Sequence, residues 1–212
     1  MSKDISSIRS NYSRSSLSEQ DAAADPVVQF NKWWNEAIEA EIDEVNAMTL
    51  ATASADGLPA ARIVLLKGFS TEGFVFFSNY ESYKGRQLQE NPKACLVFFW
   101  KELERQVRIT GIVTKVNEQE SDAYFYSRPA GSRLGATVSP QSQVIESREW
   151  LENKLARASQ QATEIKRPAH WGGYCVKPVV MEFWQGRPSR LHDRLEYSLQ
   201  EDGSWARVRL AP

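Results

Sequence analysis

Two guanidiniums and an imidazole recur at alternate positions near the end of this 212-residue chain, in Arg190-Leu191-His192-Asp193-Arg194. In an extended segment alternate side chains share a face, so Arg190, His192 and Arg194 are expected to point the same way. Such a face repels itself unless something anionic or electron-rich lies against it. A phosphorylated ligand or a flavin ring would serve. Met181-Glu182-Phe183-Trp184-Gln185 precedes the run and adds an indole to the same region.

A second group could hold a phosphate monoester. Tyr124 and Arg128 are four apart on an expected helix and share a face, with Ser132 following Pro129. A guanidinium fork matches phosphate oxygens, and a phenol and a hydroxyl complete such a clamp. From spacing alone an ordinary exposed helix end remains open. A third group is the apolar strand Arg62-Ile63-Val64-Leu65-Leu66-Lys67, bracketed by cations. A flat strand puts Arg62 and Lys67 on opposite faces, so joint binding of one ligand requires a bend or a contribution from the backbone. Phe77, Ser78 and Lys84 fall at a strand end and the start of a short helix, where main-chain N–H groups and a lysine suit an anion.

These groups need a scaffold. Residues 1–24 are polar and Ser-rich and read as a mobile arm, followed by a single domain over 25–212. Asp25-Pro26 starts a helix, with Val27, Phe30, Trp34 and Ile38 as its expected apolar stripe. Strands are expected at 48–53, 59–67, 74–78, 94–100, 107–116, 174–184, 195–200 and 205–210, with Asp56-Gly57 and Asp202-Gly203 as hairpin turns. Helices are expected at 82–90, from the Asn117 cap to about Arg128, and at 147–163. Many short strands without a strand-helix alternation point to an antiparallel barrel with helices outside. No G-x-G-x-x-G occurs, which disfavours a Rossmann domain.

The totals narrow the function further. A net charge of -1 provides no global attraction to nucleic acid or anionic membrane, so any anion site is local. Cys95 and Cys175 lie in apolar runs and read as buried free thiols, and two cysteines make no zinc or redox motif. No metal is expected. No secretory core or membrane-length apolar stretch occurs, and acidic residues interrupt the basic ones near the start, so the cytoplasm is the expected location.

The order aliphatic-Glu-aromatic-Trp-Gln, four residues, Arg-aliphatic-His-Asp-Arg resembles the signature of the pyridoxine 5'-phosphate oxidase family, with Met181 slightly off the usual residue. The resemblance runs from about Arg9 to Pro212. It implies the split-barrel (Greek-key) FMN-binding fold, mainly β with peripheral helices, in a homodimer holding FMN at the subunit interface. It implies oxidation of pyridoxine or pyridoxamine 5'-phosphate to pyridoxal 5'-phosphate, with O2 as acceptor giving H2O2. By resemblance Arg62, Ile63, Val64, Leu65, Leu66 and Lys67 cradle the flavin and its phosphate, together with Phe77, Ser78 and Lys84. Gln106, Gln141, Ser142, Trp184 and Arg194 are further flavin positions.

Lys67, Tyr124, Arg128 and Ser132 are implied to clamp the substrate phosphate, and Arg190 and His192 to face the substrate as catalytic residues. Arg9 and Tyr12 match a lid segment in which Ser10 and Asn11 depart from the family pattern. Tyr83 stands where the family has an arginine beside Lys84. Two other readings stay open: a non-catalytic split-barrel protein carrying FMN or pyridoxal phosphate, and a flavin oxidoreductase with another substrate.

Overall fold

The computed structural model describes residues 4–7, 11–161 and 164–212. Among these residues five α-helices, α1 (Pro26–Glu39), α2 (Tyr83–Glu90), α3 (Glu118–Ser127), α4 (Ala130–Val138) and α5 (Arg148–Gln161), accompany nine strands. The strands are β1 (Ala47–Ala53), β2 (Pro59–Leu65), β3 (Gly68–Ser70), β4 (Gly73–Asn79), β5 (Lys93–Trp100), β6 (Arg105–Lys115), β7 (Trp171–Gln185), β8 (Asp193–Leu199) and β9 (Trp205–Arg209). Their hydrogen-bonded order is β2-β1-β5-β6-β7-β4-β3, with β8 pairing β7 and β9 pairing β8. The chain divides into two compact units.

The first unit comprises 1–49, 95–110 and 178–212. The Asp25 carboxylate accepts from Val27 and Val28 N–H, and Pro26 sits where no intrahelical donor is needed, so α1 starts as expected. Its buried stripe keeps the expected Val27 and Phe30 but continues through Trp33 and Ala37, each one position before the expected Trp34 and Ile38, and Ile38 is half exposed. Phe30 packs on Phe98 and Trp33 on Phe183, with ring centroids 5.2 and 5.3 Å apart. The β7–β8 ladder pairs Trp184 with Arg194 and Phe183 with Leu195.

The arm expected to be mobile is tied down in this unit from Ser13 onward. Ser13 and Arg14 N–H both donate to Glu104 Oε2, and Leu17, 4% exposed, donates its N–H to Asp193 Oδ2. Arg207 donates to the carbonyls of Glu19, Ala22 and Ala23, and Arg209 to the Glu19 carboxylate and the Leu17 carbonyl.

The second unit comprises 50–94 and 111–177. Gly57 at φ +91 makes the turn between β1 and β2 that a side chain would strain. Ser82 caps α2 and Asn117 caps α3. The expected helix through Arg128 stops one residue early. Arg128 is extended (φ -77, ψ 150) because the residue before Pro129 is excluded from the helical region. Helix α4 then begins, where no helix was expected. Cys95 and Cys175 are free thiols, but both are half-buried rather than buried.

Candidate functional site

One cavity of about 1010 Å³ in the second unit collects most of the expected residues. Arg62, Ile63, Val64, Leu65, Lys67, Phe77, Ser78, Lys84, Tyr124, Arg128, Ser132, Gln141 and Ser142 all line it. Strand β2 stands at the end of the hydrogen-bonded order, so the cavity can run along its edge and meet successive residues instead of alternate ones. That solves the opposite-face problem of Arg62 and Lys67. Leu66 is the exception: it is 4% exposed, part of the core and not of the lining. Its side chain turns inward where β2 has ended and the Lys67 N–H pairs with the Val75 carbonyl.

The anion-binding character is local and built. Arg62 Nη1 donates to Thr52 Oγ1 (2.6 Å) and the Leu50 carbonyl, and Thr52 in turn donates to Gln87. Lys84 Nζ donates to Ser78 Oγ at 3.0 Å and Gln141 Oε1 at 3.2 Å. Burial, aided by the Arg62 charge, pulls the Lys84 ammonium down to about 8. Among the described residues no carboxylate lies within 4.0 Å of Arg62, Lys67, Lys84 or Arg128.

Phe77 and Tyr124 stack with centroids 4.0 Å apart, and Trp171 continues the stack at 5.6 Å from Phe77. Gly173, opposite Phe77 in the β4–β7 ladder, leaves room for that ring: a Cβ there would lie 2.8 Å from it. Arg128 lies over the Trp171 ring at 4.7 Å, and its Nη1 is buried with no hydrogen-bond partner. Burial lowers its pKa. A guanidinium held on an aromatic face with an unused buried donor is a fitting for phosphate oxygens. Lys67 Nζ sits 5.8 Å from the Tyr124 ring. Tyr124, Arg128 and Ser132 do converge, although Ser132 reaches the cavity from α4.

Trp171, Asn79, Gly135, Ala136 and Ser139 also line the cavity and were missed in sequence. Trp171 enters through the β4–β7 pairing with Asn79, a long-range register without a local signal. Tyr83, half-exposed, lines the cavity as well.

The remaining expected residues belong to the first unit. Trp184 and His192 rings lie 4.6 Å apart, and Tyr12 packs edge-on to Trp184 at 5.7 Å and tilted to His192 at 5.9 Å. The Arg187 N–H donates to His192 Nδ1 at 3.1 Å. Burial, then the Arg190 charge, lowers the His192 pKa. Arg194 forks onto buried Glu182, which also pairs with Arg108. Gln106 lies half-buried on β6. Arg9 lies outside the described residues.

One geometric expectation fails. Arg190 and His192 are not on a strand with Arg194. Pro188–Arg190 form a 3-10 turn in which Ser189 and Arg190 take φ of 57 and 61, and β8 begins only at Asp193. The proline and the left-handed pair break the alternation.

Comparison with known proteins adds the lineage. Residues 34–162 match the pyridoxamine 5'-phosphate oxidase family, and residues 171–212 match the pyridoxine 5'-phosphate oxidase C-terminal dimerisation region. The chain is 56% identical over 214 residues to the pyridoxine/pyridoxamine 5'-phosphate oxidase of Nostoc sp. (strain PCC 7120), covering 100% of both. This chain belongs to the pyridoxamine 5'-phosphate oxidase family.

The namesake oxidase of Ralstonia pickettii is also 56% identical, over 98% of this chain and 99% of that protein. Among solved structures, PhzG from Burkholderia lata 383, crystallised with tetrahydrophenazine-1-carboxylic acid, is 30% identical with a TM-score of 0.86, covering 91% of this chain and 95% of that one. A family-related FMN binding protein from Nostoc punctiforme shares the fold at 17% identity, with a TM-score of 0.71 over 90% of this chain and 100% of its own. The expected mainly-β split-barrel class is the one this family adopts. Its cofactor, FMN, suits the cavity: uncompensated Arg62 and Lys84 fit a phosphate, and the exposed apolar Ile63 and Leu65 fit a flat ring.

Proposed function

We propose that this protein is an FMN-dependent oxidase that converts pyridoxine or pyridoxamine 5'-phosphate to pyridoxal 5'-phosphate. The observation that carries the reading is the cavity with four cations and, among the described residues, no carboxylate partner: two cations at the Ser78–Lys84 end and two beside Tyr124. Two separated phosphates, one on cofactor and one on substrate, account for that distribution. Near-full-length likeness to oxidases of this name supports the same substrates.

FMN, when bound, supplies a hydride acceptor whose electron pair O2 takes up as H2O2. Arg62, Ser78, Lys84 and Gln141 hold its phosphate, and residues 63–65 with Lys67 flank the ring. Lys67, Tyr124, Arg128 and Ser132 hold the substrate phosphate, which fixes the reacting carbon in place. Gln106, Trp184 and Arg194 contact the flavin, and Arg190 and His192 orient the substrate. The protein acts as a homodimer, as residues 171–212 suggest, with these first-unit residues reaching the cofactor across the subunit interface. Tyr12, packed against Trp184 and His192, flanks the substrate. Free thiols at both cysteines suit a cytoplasmic location, and no helix among the described residues is long and apolar enough to cross a membrane.

The test is direct. The purified protein should be yellow and consume O2 with pyridoxine or pyridoxamine 5'-phosphate but not with their unphosphorylated forms. Arg190→Ala and His192→Ala should lower kcat/KM far more than FMN affinity. A flavin-loaded protein inert toward both phosphates would overturn the reading.

A further inference from the structure

A main-chain N–H can only donate. The 3.1 Å bond from Arg187 N–H therefore requires Nδ1 of His192 to carry a lone pair. In the neutral ring the proton then resides on Nε2, and among the described residues Nε2 has no hydrogen-bond partner of its own. The half-buried ring lies against Trp184 at 4.6 Å and Tyr12 at 5.9 Å, which favour this orientation of its nitrogens. The same residue anchors the loop that carries the imidazole. Arg187 Nη1 donates to the Ser15 carbonyl at 3.0 Å, and Arg187 Nε faces Asp193 Oδ2 at 3.5 Å. Asp193 is itself held by Leu17 N–H and Arg209.

We propose that Arg187 is a positioning residue: it fixes His192 as an Nε2–H hydrogen-bond donor to the substrate, not a proton acceptor, and pins that arrangement to the segment around Ser15. The donor role rests on the reading that His192 faces the substrate; the tautomer does not. Nε2 in this state offers its hydrogen to a substrate oxygen or nitrogen and has no lone pair with which to take a proton. The proton lost on oxidation therefore leaves by another route. Ser189 and Arg190, both left-handed, hold the six-residue span from Arg187 to His192 tight enough for the bond to close.

The chain has two histidines, His170 and His192, which makes the tautomer directly readable. Long-range 1H–15N spectra of FMN-loaded, 15N-histidine-labelled protein, with His192→Gln to assign the signals, should give His192 the neutral Nε2–H pattern above pH 7. Arg187→Ala keeps the main-chain N–H but releases its anchor on Ser15 and Asp193, so it should loosen the bond to Nδ1, blur that pattern toward a tautomer mixture and raise KM for pyridoxine 5'-phosphate about tenfold, the loss of one hydrogen bond and a weak ion pair. FMN affinity should hold, and Arg187→Lys should restore most of the loss. His192→Gln, which keeps a donor but cannot accept a proton, should retain more turnover than His192→Ala.

An Nδ1–H or mixed pattern in the wild-type protein overturns the proposal. So does an Arg187→Ala protein with unchanged spectrum and KM, whatever its Tm. If Arg187→Ala fails to fold, the wild-type spectrum and the Gln–Ala comparison at 192 decide. A protein with the Nε2–H pattern that oxidises neither phosphate would remove the substrate reading and leave the tautomer standing.

Discussion

Arg194 and Glu182 meet fork to fork across the β7–β8 ladder, Nε to Oε1 at 2.8 Å and Nη2 to Oε2 at 3.2 Å. Glu182 is 2% exposed and also neutralises Arg108, so one buried carboxylate stands between two guanidiniums. Its role is to aim Arg194 and to leave the trio with one net positive charge. Glu182→Ala leaves two arginines without a counter-charge. Both guanidiniums reach solvent, which holds the expected cost near the lower bound for a broken buried pair, about 3 kcal/mol, or roughly 6–12 °C in Tm. Glu182→Gln should lose less, and FMN should bind more weakly in both. A Tm within a degree of wild type for the alanine variant would refute this account.

Lys84 predicts the pH dependence of FMN binding. Its pKa is lowered, from 10.5 to about 8, so the free protein loses this cation as pH rises through 8. A bound phosphate favours the ammonium, so binding near pH 8 should take up a proton. FMN affinity should fall above pH 8 by as much as about tenfold per unit. For the FMN-free protein the sign is opposite: the unfolded chain holds this proton to higher pH, so Lys84 adds stability as pH rises from about 8 toward 10.5. Titrations at pH 7, 8 and 9 read the first effect, and Lys84→Arg should flatten it. A flat wild-type profile would place the phosphate elsewhere.

Arg128→Ala should raise KM for phosphorylated substrates by roughly 10- to 100-fold, the value of about 1.5–3 kcal/mol for a charge-assisted contact. The unpartnered Nη1 beside Trp171 is the motive. Pyridoxine and its 5'-phosphate are the substrates to compare. An equal loss on both would sink the clamp.

Tyr83→Arg should tighten FMN binding. Tyr83 already lines the cavity beside Lys84, and a guanidinium adds charge and a second donor where the phenol offers one hydrogen. The gain should shrink in high salt, because the site reaches solvent. Dissociation constants at two salt concentrations decide it, and unchanged binding would mean that the role is already filled.

Leu66 and Ile63 should behave oppositely. Leu66→Ala removes a buried side chain and should cost about 2–5 kcal/mol of stability with little change in FMN affinity of the folded protein. Ile63 is 65% exposed on the cavity wall, so Ile63→Ala should weaken FMN and leave Tm nearly unchanged. Thermal melts and flavin titration of both variants separate the two.

The contrast also marks how far sequence reading reaches. Asp25 and Asn117 announced their helices because a cap is a local event, and the strand pattern announced the mainly-β class. Helix α4 escaped because Gly131 and Gly135 are poor helix formers that only tertiary packing can hold. Alternation held through Leu66, which points inward on the face of Val64, and failed at Arg190 because two consecutive non-glycine residues turn left-handed. Trp171 and the Arg187–His192 bond depend on contacts that no spacing records.

Strand β9 has a consequence for refolding. Arg207 and Arg209 of β9 grip the carbonyls and carboxylate of residues 17–23. These bonds join residues up to 192 apart, and contacts of such long range repay their loop-closure entropy late. When the protein is diluted out of denaturant, residues 17–23 should therefore regain protease resistance after the helices have formed, and Arg209→Ala should delay that step further.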